Sequence, residues 1–302
     1  MAEATLRQMQ YFLAVLDHGS VTAAAKQSHV SQSALSMAIA QLESIFGAQL
    51  FVRNKAQKVV PTPAALRLEP HARNALESVD LAHHAIRDER HRIGGLVRIG
   101  CLTTLSPSIM PALIKVFFDK YPEISVRILE GSAVELQEKL RGGQLDVVFL
   151  YHRLFEQDLV CQDLQKATMH AMLPAGHPRA TDDSVFVRDI QDLPLILLDI
   201  PPTADSILGI LTGLGVEKAP RLRSSNVETI REYIGLGLGF CLTNTVPVNR
   251  MSFGGHYVAY VPLADNIPAN AITAVTRPGH PTSRRVGIAI NVVAENLHDR
   301  GT

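Results

Sequence analysis

Short hydroxyl and amide side chains gather in residues 31–41, where they could hydrogen-bond to the edges of DNA bases. Gln32, Ser33 and Ser36 fall on one face of a helical pattern whose opposite face is apolar. Side chains of this kind contact base edges when a helix lies in the major groove. The pattern therefore predicts a DNA-contacting helix. A helical hairpin with an ordinary polar outer face is the alternative.

A second, shorter helical pattern precedes this one. Ser20 or Thr22 can cap it, and the alanine run at 23–25 lets another helix cross closely. Ser31 can then cap the DNA-contacting helix, because serine side chains accept hydrogen bonds from the first free backbone N–H groups. Two helices with a tight break predict a helix-turn-helix over residues 21–40, with Thr22 as a further candidate DNA contact.

Positive charge near this motif is local, since the 302-residue chain has a formal net charge of zero. Arg53, Lys55 and Lys58 lie together where a wing would follow the second helix, and there we expect them to contact phosphates. No Arg or Lys lies between Lys26 and Arg53. Reading of guanine by an arginine of this helix is therefore not expected.

The flanking segments carry a family resemblance. Residues 6–12, 42–53 and 61–64, together with the helix pair, resemble the winged helix-turn-helix of the LysR-type transcriptional regulators. The match runs almost without gaps from Leu6 to Pro63. The chain departs from the family at three positions. Most members have a basic residue at Met37, proline at Ala34 and glycine at Ala65.

The resemblance implies the fold and the partners. We expect an all-α winged helix-turn-helix domain over residues 4–62, a linker helix over 63–93 and an α/β effector domain over 94–302. That domain would have two Rossmann-like lobes of the periplasmic-binding-protein type. The expected partners are double-stranded DNA with an inverted-repeat site, a small-molecule effector, and further copies of the chain in a dimer or tetramer.

The linker segment has an apolar stripe at helical spacing, which suits packing against a second copy. Its polar face places Asp80, His84, Asp88 and His91 at a spacing that could bind zinc. A solvated polar face explains these four residues equally well, and we expect no metal and no cofactor.

Beyond residue 94, strands alternate with helices, which predicts parallel sheets. We assign lobe I to about 94–166 and 268–302, and lobe II to about 167–267. Ligands of such sheets sit at the carboxyl ends of strands, beside helix N-termini. The residues at those places are the candidate effector contacts: Thr103, Thr104, Ser132, Tyr151, Ile200, Pro201, Asn226 and Thr243.

Several of these candidates have other interpretations. Ser132 and Asn226 also read as helix caps, which can coexist with ligand binding. His152 and Arg153 lie near enough in sequence to neutralise an anion, so a carboxylate is one candidate class of effector.

The cysteines offer an alternative function. Cys101 ends a strand where a helix N-terminus could lower its pKa, so a redox-sensing regulator is the main competing hypothesis. By resemblance, peroxide-sensing members pair two nearby cysteines in the second lobe, whereas Cys161 and Cys241 are far apart here. Buried, inert thiols are the default expectation.

Other classes of protein find little support. The sequence contains no nucleophile-elbow, P-loop or zinc-protease motif. We therefore expect no enzyme, and we keep a solute-binding protein or an enzyme only as weaker alternatives. No apolar run is long enough to cross a bilayer, and the N-terminus does not read as a secretory signal. We expect a cytoplasmic protein without a membrane partner.

Overall fold

The computed structural model describes residues 3–53, 59–87, 93–279 and 282–300, with residues 53, 77, 80–87, 299 and 300 described by their backbone only. The chain divides into two compact units. One comprises residues 1–93 and 139–145, and the other comprises residues 94–138 and 146–302. None of the helices in the described ranges is both long and apolar enough to span a membrane.

The first unit contains a helical domain with a small wing. Its elements are α1 (Leu6–His18), α2 (Val21–Gln27), α3 (Gln32–Phe46), β1 (Phe51–Arg53), β2 (Val59–Pro61) and α4 (Pro63–Arg87). Strands β1 and β2 pair antiparallel. Phe12, Leu35 and Leu42 are fully buried at the centre of the helices.

The first half of the predicted linker stripe is covered within its own chain. Ala65 and Ala72, on α4, are fully buried in the core that α1 helps to form. Arg73 then joins α4 to α1 through an ion pair of 2.6 Å with Asp17, and it also contacts Glu69 at 3.0 Å. The expectation that the whole stripe faces a second copy is therefore wrong for this half, because the domain core already uses it.

The second unit contains two lobes, the first with one sheet and the second with two. The elements of the first lobe are β3 (Gly95–Leu102), α5 (Ser106–Lys120), β4 (Ile124–Gly131), α6 (Ala133–Arg141), β5 (Val147–Tyr151), β6 (Val160–Lys166), β12 (Ala271–Thr276) and α9 (Arg284–Arg300). The boundary between the two units falls inside α6.

The sheet of the first lobe has the order β4-β3-β5-β12-β6. Strand β3 pairs parallel with β4 and β5, as the predicted alternation of strands and helices requires. Strand β12 is antiparallel to both of its neighbours. No strand was predicted over β6, because its residues are mostly polar and only Leu164 among them is buried.

The elements of the second lobe are β7 (His170–Pro174), β8 (Ile196–Leu198), α7 (Thr203–Gly213), β9 (Leu222–Ser224), α8 (Val227–Gly235), β10 (Cys241–Thr243) and β11 (Val258–Pro262). Strands β8 and β9 are parallel, whereas β7 lies antiparallel between β10 and β11. The chain passes between the lobes twice, after β6 and after β11. Ligands can therefore lie between two lobes that only short segments connect.

Candidate functional site

Two serines begin the helices of the helix-turn-helix. The Ser20 hydroxyl accepts a hydrogen bond from the backbone N–H of Ala23 at 3.4 Å, and the Ser31 hydroxyl accepts one from Ala34 at 3.1 Å. Between the helices, His29 adopts a left-handed φ of +53°, which allows the tight break. The predicted caps are therefore confirmed, with Ser20 rather than Thr22 as the first.

Helix α3 turns one face to the core and leaves the other uncovered. Leu35, Ile39 and Leu42 are buried, whereas Ser33 and Met37 are exposed. Met37 points directly away from the buried stripe, because it is two residues from both Leu35 and Ile39 on a helix of about 3.6 residues per turn. It is 63% exposed, and its close neighbours on this face are short side chains. This face can enter a groove.

The other predicted DNA contacts take different positions. Gln32 is exposed in the first turn of α3, Ser36 is half-buried, and Thr22 is exposed on α2. Arg53 ends β1, but its side chain lies outside the described residues, as do Lys55 and Lys58.

The position of the wing depends on a residue that the sequence analysis did not identify. The Glu43 carboxylate of α3 accepts hydrogen bonds from the backbone N–H groups of Leu50 and Phe51, at 2.7 and 3.2 Å. The carboxylate therefore ties the end of α3 to the start of β1. Glu43 is the one charged residue in the sequence of α3, and this feature could have indicated its role.

A cavity of about 490 Å³, here called the cleft cavity, lies between the lobes of the second unit. Predicted effector contacts from both lobes meet here, and they are Thr103, Thr104, Asn226 and Thr243. Ser108, Ser225 and Thr245 add further hydroxyl groups, while Met172 and Val248 add apolar surface. Such a mixture suits a small molecule that has several polar groups.

The other predicted contacts are placed differently. Ser132 accepts a hydrogen bond from the backbone N–H of Glu135 at 3.3 Å, as a helix cap, and it is not among the residues lining the cleft cavity. Ile200 packs against the core of the second lobe, and neither it nor Pro201 lines this cavity. Tyr151 lines a smaller neighbouring cavity that shares Thr104 and Thr243 with the cleft cavity.

The charged residues of the cleft cavity are Glu228 and Arg231, which the sequence analysis missed. Arg231 pairs with Glu228 at 2.6 Å and donates to the carbonyl oxygens of Asn249 and Met251 at 2.8 and 2.6 Å. Arg231 lies in the second turn of α8, five residues after the Asn226 cap, and this position could have indicated that it faces the cavity. Because the guanidinium and the carboxylate neutralise each other, the charge of the lining is balanced.

Two buried hydroxyl groups in this region keep their protons. Burial raises the pKa of Tyr151 to about 12, although its hydrogen bond with Thr245 acts in the opposite direction. Burial likewise raises the pKa of Tyr260 to about 12, against the effect of the nearby Arg231. Both phenols are therefore neutral donors at physiological pH.

His152 already has a partner outside these cavities. Its Nδ1 atom lies 2.8 Å from Asp163, which also accepts a hydrogen bond from Thr273 at 2.7 Å. The Thr273 hydroxyl and the His152 ring hold the pKa of Asp163 below its ordinary value. Of the two predicted anion partners, Arg153 alone lines a cavity between the lobes.

Cys101 is buried, as the default expectation of inert thiols has it, and the structure does not support the alternative of a lowered pKa there. Its side chain is fully buried, and burial together with the charge of Glu130 raises the pKa of the thiol far above its ordinary value. Cys241 is also buried, which raises its pKa to about 12. Desolvation disfavours a thiolate more than the nearby helix N-terminus can favour it.

The strand register also separates Cys101 from Cys161. Cys101 lies beside Phe149, Phe149 beside Ala274, and Ala274 beside Gln162, the neighbour of Cys161. Three strand spacings correspond to about 14 Å, whereas a disulfide requires Cα atoms within about 7 Å. These two cysteines cannot pair without opening the sheet.

Comparisons with known proteins agree with this architecture. Residues 6–66 match the family described as the bacterial regulatory helix-turn-helix protein, lysR family, and residues 90–298 match the LysR substrate binding domain. A hydrogen peroxide-inducible genes activator from Dickeya chrysanthemi is 27% identical over 295 residues, which cover 97% of this chain and 95% of that protein.

Comparison with solved structures also agrees with this architecture. HinK, a LysR family transcriptional regulator from Pseudomonas aeruginosa, is 30% identical with a TM-score of 0.63, over 98% of this chain and 99% of that one. Full-length OxyR from Pseudomonas aeruginosa, in a variant form, has a TM-score of 0.79 over 98% of both chains, and at 24% identity it supports the fold alone. With both parts of the chain matched by their family models, the protein belongs to the LysR family of transcriptional regulators.

Proposed function

We propose that this protein binds promoter DNA through α3 and the wing, and that a small molecule in the cleft cavity controls this binding. The observation that carries the proposal is the capped pair α2–α3, which leaves one face of α3 uncovered. We assign DNA binding to residues 4–62, the linker to 63–93 and effector binding to 94–302. A protein that acts on the chromosome is placed in the cytoplasm.

The DNA contacts fall into two groups. Gln32, Ser33 and Ser36 contact base edges, because short hydroxyl and amide groups can donate and accept hydrogen bonds there. Thr22 and the wing residues contact phosphates, and the wing group comprises Arg53, Lys55 and Lys58. With no arginine on α3 itself, DNA shape contributes to the choice of site.

A second copy of the chain completes the DNA-binding unit. Two copies related by a two-fold axis place two α3 helices on an inverted-repeat site. The part of α4 after Ala72 is the proposed dimerisation segment, because the earlier part is already buried in the helical core. Pairing of two dimers would give a tetramer.

The effector occupies the cleft cavity, where Thr103, Thr104, Asn226 and Thr243 meet. The side-chain Oδ1 atom of Asn226 already caps α8 by accepting hydrogen bonds from the backbone N–H groups of Glu228 and Thr229, so its side-chain N–H₂ is the group available to a ligand. An effector changes DNA binding only if its affinity differs between two arrangements of the lobes. We propose a regulator that acts by binding, without catalytic turnover.

The name of the Dickeya relative raises peroxide sensing as a second candidate. The cysteines favour a small-molecule effector instead. Thiols react as thiolates, and burial raises the pKa of both Cys101 and Cys241.

Gel-shift titration of the purified protein against its own upstream DNA tests the proposal. We expect a discrete complex that resists excess competitor DNA and weakens steeply as salt rises. The double variant S33E/S36E should abolish the complex, because carboxylates on the groove-facing surface repel phosphates. Ser184→Glu, at an exposed position in the second unit, is the matched control and should retain it.

A metabolite pool added to the same assay tests the effector. The pool should change the affinity of the wild-type complex, and Thr104→Val should retain the complex while losing that response. Retained specific binding by S33E/S36E would contradict the assignment of α3. An unchanged response of Thr104→Val would contradict the assignment of the cleft cavity.

A further inference from the structure

The centre of the uncovered face of α3 is apolar. Met37 is 63% exposed there, and it is not among the described residues that pack in the core of the helical domain. Ala34 and Ala40 lie about one turn before and one turn after it, and Ala40 is exposed. An apolar side chain gains free energy when a partner removes it from water. Met37 is therefore available to a surface that docks on α3.

The polar neighbours of Met37 are shorter or already engaged. Ser33, one turn before Met37, shares a hydrogen bond of 3.1 Å with the hydroxyl of Ser31. Gln41, one turn after Met37, accepts a hydrogen bond from the Gln8 side chain of α1 at 3.2 Å. Met37 thus reaches further from the helix axis than Ser33, while Gln41 is directed towards α1. The thioether is the group that meets a docked surface first.

This part of α3 has no charge with which to bind a phosphate. Residues 32–42 contain neither an acidic nor a basic side chain. Glu43, the next residue, accepts hydrogen bonds from the backbone N–H groups of Leu50 and Phe51 in the wing. Since phosphate contacts are made mainly by charged and hydrogen-bonding groups, an apolar centre contributes to DNA binding through the base edges.

Thymine presents the one methyl group on the base edges of the major groove, at its C5 atom. The other groups on these edges are mainly hydrogen-bond donors and acceptors. They lose water without gaining a partner when an apolar side chain covers them, and this loss costs free energy. A methionine at the centre of the face therefore favours thymine over the other three bases. Ala40 extends the same apolar surface by one turn.

We propose that Met37, together with Ala40, selects DNA sites by contact with the C5-methyl group of a thymine in each half-site. The contact rests on the proposed function, because α3 must enter the major groove to make it. It adds an apolar contact to the hydrogen bonds that we assign to Gln32, Ser33 and Ser36. Because each half-site of an inverted repeat receives one copy of α3, the contact occurs twice.

Uracil tests the proposal, because it differs from thymine only by lacking the methyl group. The upstream DNA is synthesised with thymine, uracil or 5-bromouracil throughout, and each fragment is titrated by gel shift with and without the metabolite pool. Burial of one methyl group corresponds to about a fourfold change in affinity, so uracil DNA should bind about fifteenfold more weakly over the two half-sites. Bromine is similar in size to a methyl group, and 5-bromouracil DNA should bind like thymine DNA.

The variant Met37→Gln tests which side chain contacts the methyl group. Glutamine is similar to methionine in length and in helix propensity, but its end is polar. The variant should therefore bind thymine DNA and uracil DNA with nearly equal affinity. Met251→Gln makes the same change at an exposed methionine of the second unit and should keep the full preference for thymine DNA.

Three results would overturn the proposed methyl contact alone. They are a specific complex that binds uracil DNA as tightly as thymine DNA, equal weakening by uracil and 5-bromouracil, and a preference for thymine DNA that Met37→Gln leaves unchanged. The absence of any specific complex with thymine DNA, with and without the metabolite pool, would contradict the proposed function and the methyl contact together. The two kinds of failure are therefore distinguishable in one set of titrations.

Discussion

Tyr151 and Thr245, 94 residues apart in the chain, join the two lobes through a hydrogen bond of 2.7 Å between their hydroxyl oxygens. The Thr245 hydroxyl also donates to the Thr104 carbonyl at 3.3 Å. Since a hydroxyl has one proton to donate, Tyr151 must be the donor to Thr245. A single chain of hydrogen bonds therefore runs from the end of β5 through the second lobe to the cleft cavity.

Replacing Tyr151 with Phe removes the first donor of this chain and leaves the ring in place. We expect the free energy of unfolding to fall by about 1 kcal/mol, the usual net value of a hydrogen bond. Urea unfolding measures this change. Tyr257→Phe, at an exposed position, is the matched control and should have a much smaller effect. Equal stability of Tyr151→Phe and wild type would show that the bond contributes nothing.

The buried tyrosines predict a loss of stability at high pH. Tyr151 and Tyr260 have pKa values of about 12 in the fold, whereas an unfolded tyrosine ionises near pH 10. The stabilisation that the neutral tyrosines give the folded state is thus complete below about pH 10. It is lost as the pH rises towards 12. Each unit of pKa shift corresponds to about 1.4 kcal/mol.

Urea unfolding at a series of alkaline pH values checks this prediction. The buried thiols act in the same direction from a lower pH, so the comparison of wild type with Tyr151→Phe isolates the tyrosine. The variant should lose stability less steeply above about pH 10. Parallel curves for the two proteins would argue against the raised pKa of Tyr151.

We expect the replacement of Met37 with arginine to change which DNA sequences the protein prefers. The side chain is exposed at the centre of the uncovered face of α3 and has no charge. Arginine there should add one phosphate or guanine contact, so the salt dependence of binding should steepen by about one unit of slope. Selection from random DNA should show new guanine positions.

Gel-shift titrations at several salt concentrations measure this slope. Met251→Arg adds the same charge at another exposed methionine, in the second unit, and should leave the slope unchanged. If both variants behave alike, the effect comes from net charge rather than from the position of Met37.

The positions of the cysteines predict that peroxide does not change DNA binding. Cys161 is half-buried, whereas Cys101 and Cys241 are buried with raised pKa values. Iodoacetamide at neutral pH should therefore modify Cys161 first and leave the other two thiols intact until the protein unfolds. Mass spectrometry of timed samples measures this order, and Cys101→Ser should bind DNA like the wild type with or without peroxide. Rapid labelling of Cys101 in the folded protein would reverse this conclusion.

Local features of the chain were predictable from the sequence. The caps Ser20 and Ser31 and the buried positions Leu35, Ile39 and Leu42 depend on neighbours within one or two helical turns. Spacing therefore contains the necessary information. The strand-helix alternation of the second unit follows from the same kind of pattern. Strand β6 was not predicted, because its residues are mostly polar.

Tertiary structure alone decided which distant groups meet. Spacing along the chain did not identify the pairing of Arg231 with Glu228 at the cleft cavity. It also left open a lowered pKa for Cys101, whereas the folded chain removes water from the thiol and raises its pKa. Burial and charge compensation depend on atoms brought together from remote parts of the chain, so these properties exist only once the two lobes have formed.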